Sequence, residues 1–361
     1  MEFLGSDGRT VGVEIEFQIL DGETYDLADG IVGILEGTGR PGNIKAEFNQ
    51  GTVEIASDVC GSVGELEADV WGHFGELREA AEGLGYRLCA AGAHPFFEGM
   101  AHVTPDPRYR RMEEAAGYVA HVDVTFATHV HVGVEGRQEL VDLARDFRAF
   151  LPVFTAMSAN SPFWRGHRTG YVDFRHIALA MGRSYGLPPD FRTWEEFETF
   201  FEQARRAGIV ETMRDFHWDV RPRPDLGTVE LRTMDAFSTI SESVAFAGFV
   251  QALAAYCRET SPRERDEGLP ERVAWWFARE NYFQASRVGM EAEYVDSEGE
   301  VRSLRGMVER TLEVVASVGE ELGVERYLER VGELVERPGY RRQVEWYEEG
   351  GALEDVVERL V

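Results

Sequence analysis

Three features of the sequence predict an α+β fold. β-rich stretches cover residues 10–20, 44–48, 52–57, 87–92, 122–134 and 228–234, several with the apolar–polar alternation of a strand buried on one face. Stretches with the spacing of amphipathic helices lie among them, at 63–84, 107–120, 137–158, 194–207 and 241–258. The turn signal Asn49-Gln50-Gly51 separates the second strand from the third by too few residues for a helical crossover, so those two pair antiparallel. That turn favours α+β over a doubly wound sheet.

In chain order, the first strand puts Val13, Ile15 and Phe17 on one face and Glu14 and Glu16 on the other. The second and third strands form the hairpin around Gly51, and the helix at 63–84 follows Ser62, a residue type that caps helix starts. The fifth β-rich stretch alternates His129 and His131 with valines, and the sixth puts Glu230 and Arg232 on one face. A charged, proline-bearing segment at 261–268 then precedes a tail that reads as helix throughout, its Glu/Arg pattern that of a solvated helix face. The expected organisation is a single catalytic domain over 1–361, with a sheet-bearing core at 1–260 and a helical part at 269–361.

The chain has 361 residues, with 65 Asp+Glu against 37 Lys+Arg and a formal charge of −28. Such a surface repels phosphodiester backbones and anionic lipid, which argues against nucleic acid or a membrane as partner. No apolar run approaches the roughly 20 residues that span a bilayer, and the start lacks the regions of a signal peptide, so the expected location is cytoplasmic. Cys60, Cys89 and Cys257 are an odd number at wide spacing, which fits neither a disulfide framework nor a Cys-x-x-Cys metal site. Lys45 is the only lysine, and with the acidic excess this points to an Arg-biased genome or a salty or hot habitat.

Four segments carry chemistry, and each has a plainer reading beside the functional one. Glu14 and Glu16 side by side suit either an ordinary wet strand face or a cation site. Glu47 and Glu54, brought together by the hairpin, are either paired surface charges or a second carboxylate pair held by a cation. His129 and His131 have metal-ligand spacing, although a histidine in an apolar strand is more often a satisfied core residue, and no His-Glu-x-x-His pattern is present. Glu230 and Arg232 are either a structural ion pair or a hard oxygen ligand beside a forked phosphate donor.

Packed into one sheet, the five glutamates would be a costly cluster of negative charge that bound cations offset. Oxygen ligands with one histidine favour Mg²⁺ or Mn²⁺ over zinc, and several such ions most often hold nucleotide phosphates, which points to ATP. No Gly-x-x-x-x-Gly-Lys-Ser/Thr loop or kinase signature occurs.

Further motifs stand in order along the chain: Gly92-Ala93-His94-Pro95, Ser158-Ala159-Asn160-Ser161-Pro162-Phe163-Trp164, Gly170-Tyr171, Trp218-Asp219-Val220-Arg221-Pro222, Arg279-Glu280-Asn281 and Ala285-Ser286-Arg287-Val288-Gly289-Met290. With the four segments above, the sequence resembles the type 2 glutamate–cysteine ligases, or YbdK-like carboxylate-amine ligases, over nearly its whole length. The resemblance implies a glutamine-synthetase-like fold, an antiparallel sheet forming an open funnel lined with acidic ligands and closed outside by helices. Ile15 departs from the family, which usually has a third Glu there. By resemblance Glu14, Glu16, Glu47, Glu54, His129 and Glu230 fall at metal positions, Glu47 on hairpin spacing alone, and Arg232 falls at a phosphate-contacting position.

The expected reaction follows from that resemblance: the γ-carboxylate of glutamate attacks ATP to give an acyl phosphate, and an amine, cysteine by default, displaces phosphate. Arg232 and Glu54 are the expected catalytic residues, with ATP and Mg²⁺, or Mn²⁺, as cofactors. Asn160, Trp164 and Trp218 are either substrate-pocket or packing residues. Arg287 is either a nucleotide contact or part of a helix-surface ion pair, and Asp235 and His131 are the candidates for a base. A different acceptor amine, a metal-dependent hydrolase and a binding protein with a crippled site are the alternatives. A homodimer is the expected assembly, by analogy only.

Overall fold

Alternation at the start of the chain sets the architecture. Val11, Val13, Ile15, Phe17 and Ile19 are buried, while Glu14, Glu16 and Gln18 point to the opposite face. In the computed structural model, which describes residues 1–39 and 42–361, this segment is strand β1 (Val11–Asp21). It lies inside a seven-stranded sheet with β2 (Ile44–Ala46), β3 (Thr52–Ala56), β4 (Tyr86–Cys89), β5 (Thr128–Gly133), β6 (Val220–Arg223) and β7 (Thr228–Leu231). The strand order is β6-β7-β5-β1-β3-β2, and β4 takes up the edge of β1 beyond β5. Every ladder in this sheet is antiparallel, as the Asn49-Gln50-Gly51 turn predicts for β2 and β3.

The apolar face of the sheet, with Val53, Ile55, Val130, Val132, Val229 and Leu231 beside the β1 residues, packs against three helices, Val63–Gly83, Arg137–Ser158 and Ile240–Glu259. Ser62 caps the first of these by accepting from the Glu65 N–H, and Thr239 with Glu242 forms a capping box on the third. The Ile240–Glu259 helix has the length and composition to cross a membrane, which the search for unbroken apolar runs missed. In this fold 83% of its most apolar window is buried inside the protein. Ile15 is among the buried residues, so the position where the resembling family carries Glu faces the core.

Three expectations change. The 107–120 helix stops at Ala116, because Gly117 takes a positive φ; a short helix, Val119–Val122, follows, and the strand expected over 122–134 begins only at Thr128. The tail contains a two-stranded ribbon, Glu293–Val295 with Val301–Ser303, and is not helical throughout. Its turn is built by Asp296, whose carboxylate accepts from the Glu298 and Glu300 N–H groups, and by Gly299 at φ +85. Finally, β6 was not read as a strand.

The β6–β7 turn depends on Gly227. Its φ is +65, and a Cβ there would lie 2.1 Å from the Leu4 carbonyl oxygen. Gly227→Ala is expected to destabilise the fold by about 2 kcal/mol or more, from left-handed strain plus the clash. Denaturant unfolding checks this, and an unchanged midpoint would mean that the Leu4 segment moves aside freely.

Candidate active site

Register brings the charged residues of five strands onto one face of the sheet. Glu14 pairs with His129, Glu16 with Glu54, Glu230 with His131 and Lys45 with Glu54. Ligand atoms of Glu14, His129 and Glu230 lie within 4.8 Å of one another, and so do those of Glu16, Glu54 and His129. The two groups share His129. Glu47 follows β2, and its carboxyl lies beside that of Glu54 in the second group.

This half of the site is short of positive charge. Burial raises the Glu54 carboxyl well above the usual carboxylate range, and the neighbouring Glu14 and Glu47 raise it further. Glu16 is pushed up to about 8 by burial and then by Glu47, and Glu47 is raised by burial and then by Glu14. The nearest cation on these strands is Lys45, whose Nζ is 3.5 Å from Glu54 Oε1.

The other half is the reverse. Glu230 is fully buried, and Arg221 grips it with two parallel bonds of 2.8 Å. Arg223 adds a bond of 3.2 Å and Arg232 one of 2.6 Å. Burial works to raise Glu230, but Arg221 and Arg232 outweigh it and hold the group ionised, well below its ordinary range. Glu14 is likewise held low, the His129 and His131 contacts outweighing burial.

His129 links the halves. Burial, with Arg232 nearby, lowers it to about 4, so the ring is neutral. Its Nδ1 lies 3.1 Å from Glu14, and an ionised Glu14 assigns the ring proton to that nitrogen. Nε2 is then a bare lone pair, and among the described residues it has no hydrogen-bond partner. His131 repeats the pattern, with Nδ1 3.0 Å from Thr228 Oγ1 and an unpartnered Nε2 that is 3.8 Å from Glu14 and 3.9 Å from Glu230. Crowded carboxyls that repel one another, next to bare imidazole nitrogens, are a donor set that fits Mg²⁺ or Mn²⁺.

A sheet face that joins such a cluster to an arginine cage belongs to a known family: residues 10–360 match the model of glutamate-cysteine ligase family 2. The chain belongs to glutamate–cysteine ligase family 2. It is a ligase-type enzyme that forms an amide bond. A family-2 relative from Trichormus variabilis, provisionally named glutamate–cysteine ligase 2, is 39% identical, covering 100% of this chain and 94% of that protein. A relative from Rubrobacter xylanophilus with a similarly provisional name is 36% identical over 99% of this chain and 98% of its own. Among solved structures, glutamate–cysteine ligase from Francisella tularensis in complex with AMP superposes with a TM-score of 0.71 at 11% identity, over 99% of this chain and 89% of that one. A bifunctional glutathione synthetase from Pasteurella multocida gives 0.67 at 12% identity, over 97% of this chain and 51% of that one. The fold expected from the resemblance, a charged antiparallel sheet with helices outside, is the one observed.

The remaining residues singled out in this family-2 chain fall in different places. Asn160 is buried with its amide fully engaged: Nδ2 donates to the Ala236 carbonyl and Ser238 Oγ, and Oδ1 accepts from Gln343. It joins the helix Gly339–Gly350 to the loop after β7, an arrangement that suits the packing alternative. Trp218 is also a packing residue, buried and stacked on Phe216 at 4.2 Å. Trp164 is half-buried and lines an open pocket. Arg287 is exposed on the Trp275–Val288 helix, and among the described residues no hydrogen bond or ion pair ties it to the cluster. Asp235 is fully buried and accepts from the Asn160 N–H and Ser161 Oγ, which removes it as a base for an incoming substrate.

Sequence reading missed Arg221, Arg223 and Arg175. Arg175 is buried and donates to the carbonyls of Arg232 and Thr233, fixing the backbone that carries Arg232. The signal for Arg221 and Arg223 was their alternation around Pro222, which points both side chains the same way.

Proposed function

We propose that this chain is an ATP-dependent carboxylate–amine ligase that joins the γ-carboxylate of glutamate to an amine, with cysteine the first acceptor to test. The observation that carries the reading is the meeting, on one sheet face, of a cation-demanding carboxylate cluster with a three-arginine cage. A triphosphate substrate needs both kinds of partner, cations between its phosphates and donors on the group that is transferred.

In this reading an oxygen of the glutamate γ-carboxylate attacks the γ-phosphorus of ATP, the bond to the bridging oxygen breaks, and ADP leaves. The amine nitrogen then attacks the acyl carbon, phosphate departs, and the nitrogen loses a proton. Glu14, Glu16, Glu47, Glu54, His129 and Glu230 would hold Mg²⁺ or Mn²⁺. Bound there, the cations supply neutralisation of the triphosphate charge. Arg232 is the donor for the transferred phosphoryl group, and it is pre-aimed by Glu230 and by the Arg175 bond to its backbone. Arg221 and Arg223 keep Glu230 ionised as Arg232 turns toward substrate. The unpartnered Nε2 of His131 is the open basic atom for the amine proton. A cytoplasmic location and small-molecule partners belong to the same proposal.

The test is ADP release with Mg²⁺, ATP and glutamate, with and without cysteine and a panel of other amines, reading product mass in the same tubes. A γ-glutamylcysteine mass with cysteine-dependent ADP is the expected result. ADP release with another amine alone replaces the acceptor, whereas amide hydrolysis without ATP would overturn the ligase reading in favour of a hydrolase. Independently of turnover, Mg²⁺ or Mn²⁺ at a hundred times its Kd is expected to stabilise the fold by about 2.7 kcal/mol. Thermal unfolding with and without the cation measures this, and an unmoved midpoint would remove the metal assignment.

A further inference from the structure

Beyond the sheet, a second site stands on a short hairpin. Phe163–Trp164 pairs antiparallel with His167–Arg168, and the two residues between them, Arg165 and Gly166, both have positive φ, +48 and +78. That is the geometry of a tight hairpin turn, in which Asn, Asp or Gly is the usual first residue. An arginine held there has its backbone constrained by something else. The Arg165 guanidinium donates to the backbone carbonyls of Glu98 and Gly99, and the Gly166 N–H donates to the Pro95 carbonyl at 3.0 Å. The Glu98 carboxylate lies against the turn, close enough that a Cβ on Gly166 would sit 2.8 Å from its Oε1.

The hairpin, Glu98 and Phe174 enclose an open pocket of about 500 Å³, in the range that holds a small organic molecule. Trp164 and Phe174 form an aromatic wall with ring centroids 5.4 Å apart. Among the described residues neither Arg165 nor His167 forms an ion pair, and Arg168 has only an exposed one with Glu348, which a ligand can displace at little cost. In a chain with 65 acidic residues against 37 basic ones, two arginines on one short hairpin, Arg165 without a carboxylate partner among the described residues and Arg168 with an exposed one, concentrate positive charge locally. Glu98 is the single carboxylate of the lining. Phe174, in the pocket wall, directly precedes Arg175, whose guanidinium holds the Arg232 backbone.

We propose that this pocket binds the zwitterionic head of an α-amino acid, its carboxylate on Arg165 and Arg168 and its ammonium on Glu98. The inference rests on the ligase reading above, which supplies two amino acids with such a head, the glutamate donor and an amino-acid acceptor. A neutral adenine ring would use the aromatic wall but leave the charges without partners. The carboxylate and ammonium of an amino acid match both signs.

The test compares wild type with Arg168→Gln and Glu98→Gln, measuring KM for glutamate, for cysteine and for ATP. Each substitution is expected to raise the KM of one amino acid about tenfold or more, the loss of a charge-assisted hydrogen bond. A rise for glutamate identifies the donor head and a rise for cysteine the acceptor head, and either supports the pocket. A second measurement needs no turnover: glutamate or cysteine is expected to change tryptophan fluorescence in wild type, weakly in the two variants, and not in Trp164→Phe. Should no amine elicit ADP release, the ligase reading fails while the fluorescence titration still decides the pocket. Amino-acid KM values and fluorescence untouched by both substitutions would overturn the proposal, and so would a rise confined to the KM for ATP.

Discussion

Glu230→Gln is expected to abolish ATP turnover and to destabilise the protein by about 3 kcal/mol. On sequence alone Glu230 is one expected metal ligand among several. The structure changes that. Glu230 is the fully buried counter-ion of three guanidiniums, and an amide in its place leaves Arg221, Arg223 and Arg232 repelling one another, with Arg221 buried and Arg223 keeping only Asp225 as a carboxylate partner. Turnover falls because Arg232 loses the carboxylate that aims it, and stability falls because buried charge is left uncompensated. ADP release and denaturant unfolding of the same sample read the two effects. Full stability with lost turnover would mean that the arginines find other partners, and full turnover would remove Glu230 from the site.

The paired substitution Glu16→Gln with Glu54→Gln is expected to move stability in the opposite direction. These carboxyls face each other across β1 and β3, next to Glu47, with Lys45 as the one cation beside Glu54 on its partner strand. Removing both is expected to stabilise the cation-free protein by about 1 kcal/mol or more, by relieving like charges placed opposite and the cost of burying them. The same change should lower turnover at least about a hundredfold, as expected when electrostatic stabilisation is removed from a transition state. It should also erase the Mg²⁺-dependent shift in thermal unfolding. A double variant that is less stable without Mg²⁺ than wild type would show that the two carboxyls are structural. Glu230 and the Glu16–Glu54 pair thus separate a charge the fold needs from charges only a ligand needs.

What was legible in the sequence was whatever a strand's period of two encodes. Glu14 and Glu16, Glu54, His129 and Glu230 each sit in a run whose alternate residues are apolar, so their common face was readable within each strand. That the faces coincide is a matter of register between strands as far apart as β1 and β7, which local pattern does not specify. Glu47 shows this limit from the other side: β2 ends before it, its register partner position belongs to Lys45, and only the side chain reaches Glu54. Arg221 and Arg223 were hidden because Pro222 argues against a strand, yet β6 is the sheet edge, where a missing N–H costs no ladder bond. Asn160 and Trp218 were undecidable, since a buried amide joint and a stacked ring have the same local signature as a pocket wall. The hairpin pocket depends on a contact between Arg165 and the chain around Glu98, 67 residues earlier in the sequence, which no short-range pattern reveals.

Lys45 has a practical consequence for experiments. Its side chain is 40% exposed at the mouth of the carboxylate cluster, whereas the amino group of Met1 is paired with Glu198. Acylating reagents that seek primary amines therefore meet one accessible side-chain target on the whole molecule, and it lies beside the site of interest. The rate of modification at that single position becomes a footprint of whatever occupies the cluster, readable by mass from the intact chain without any introduced label.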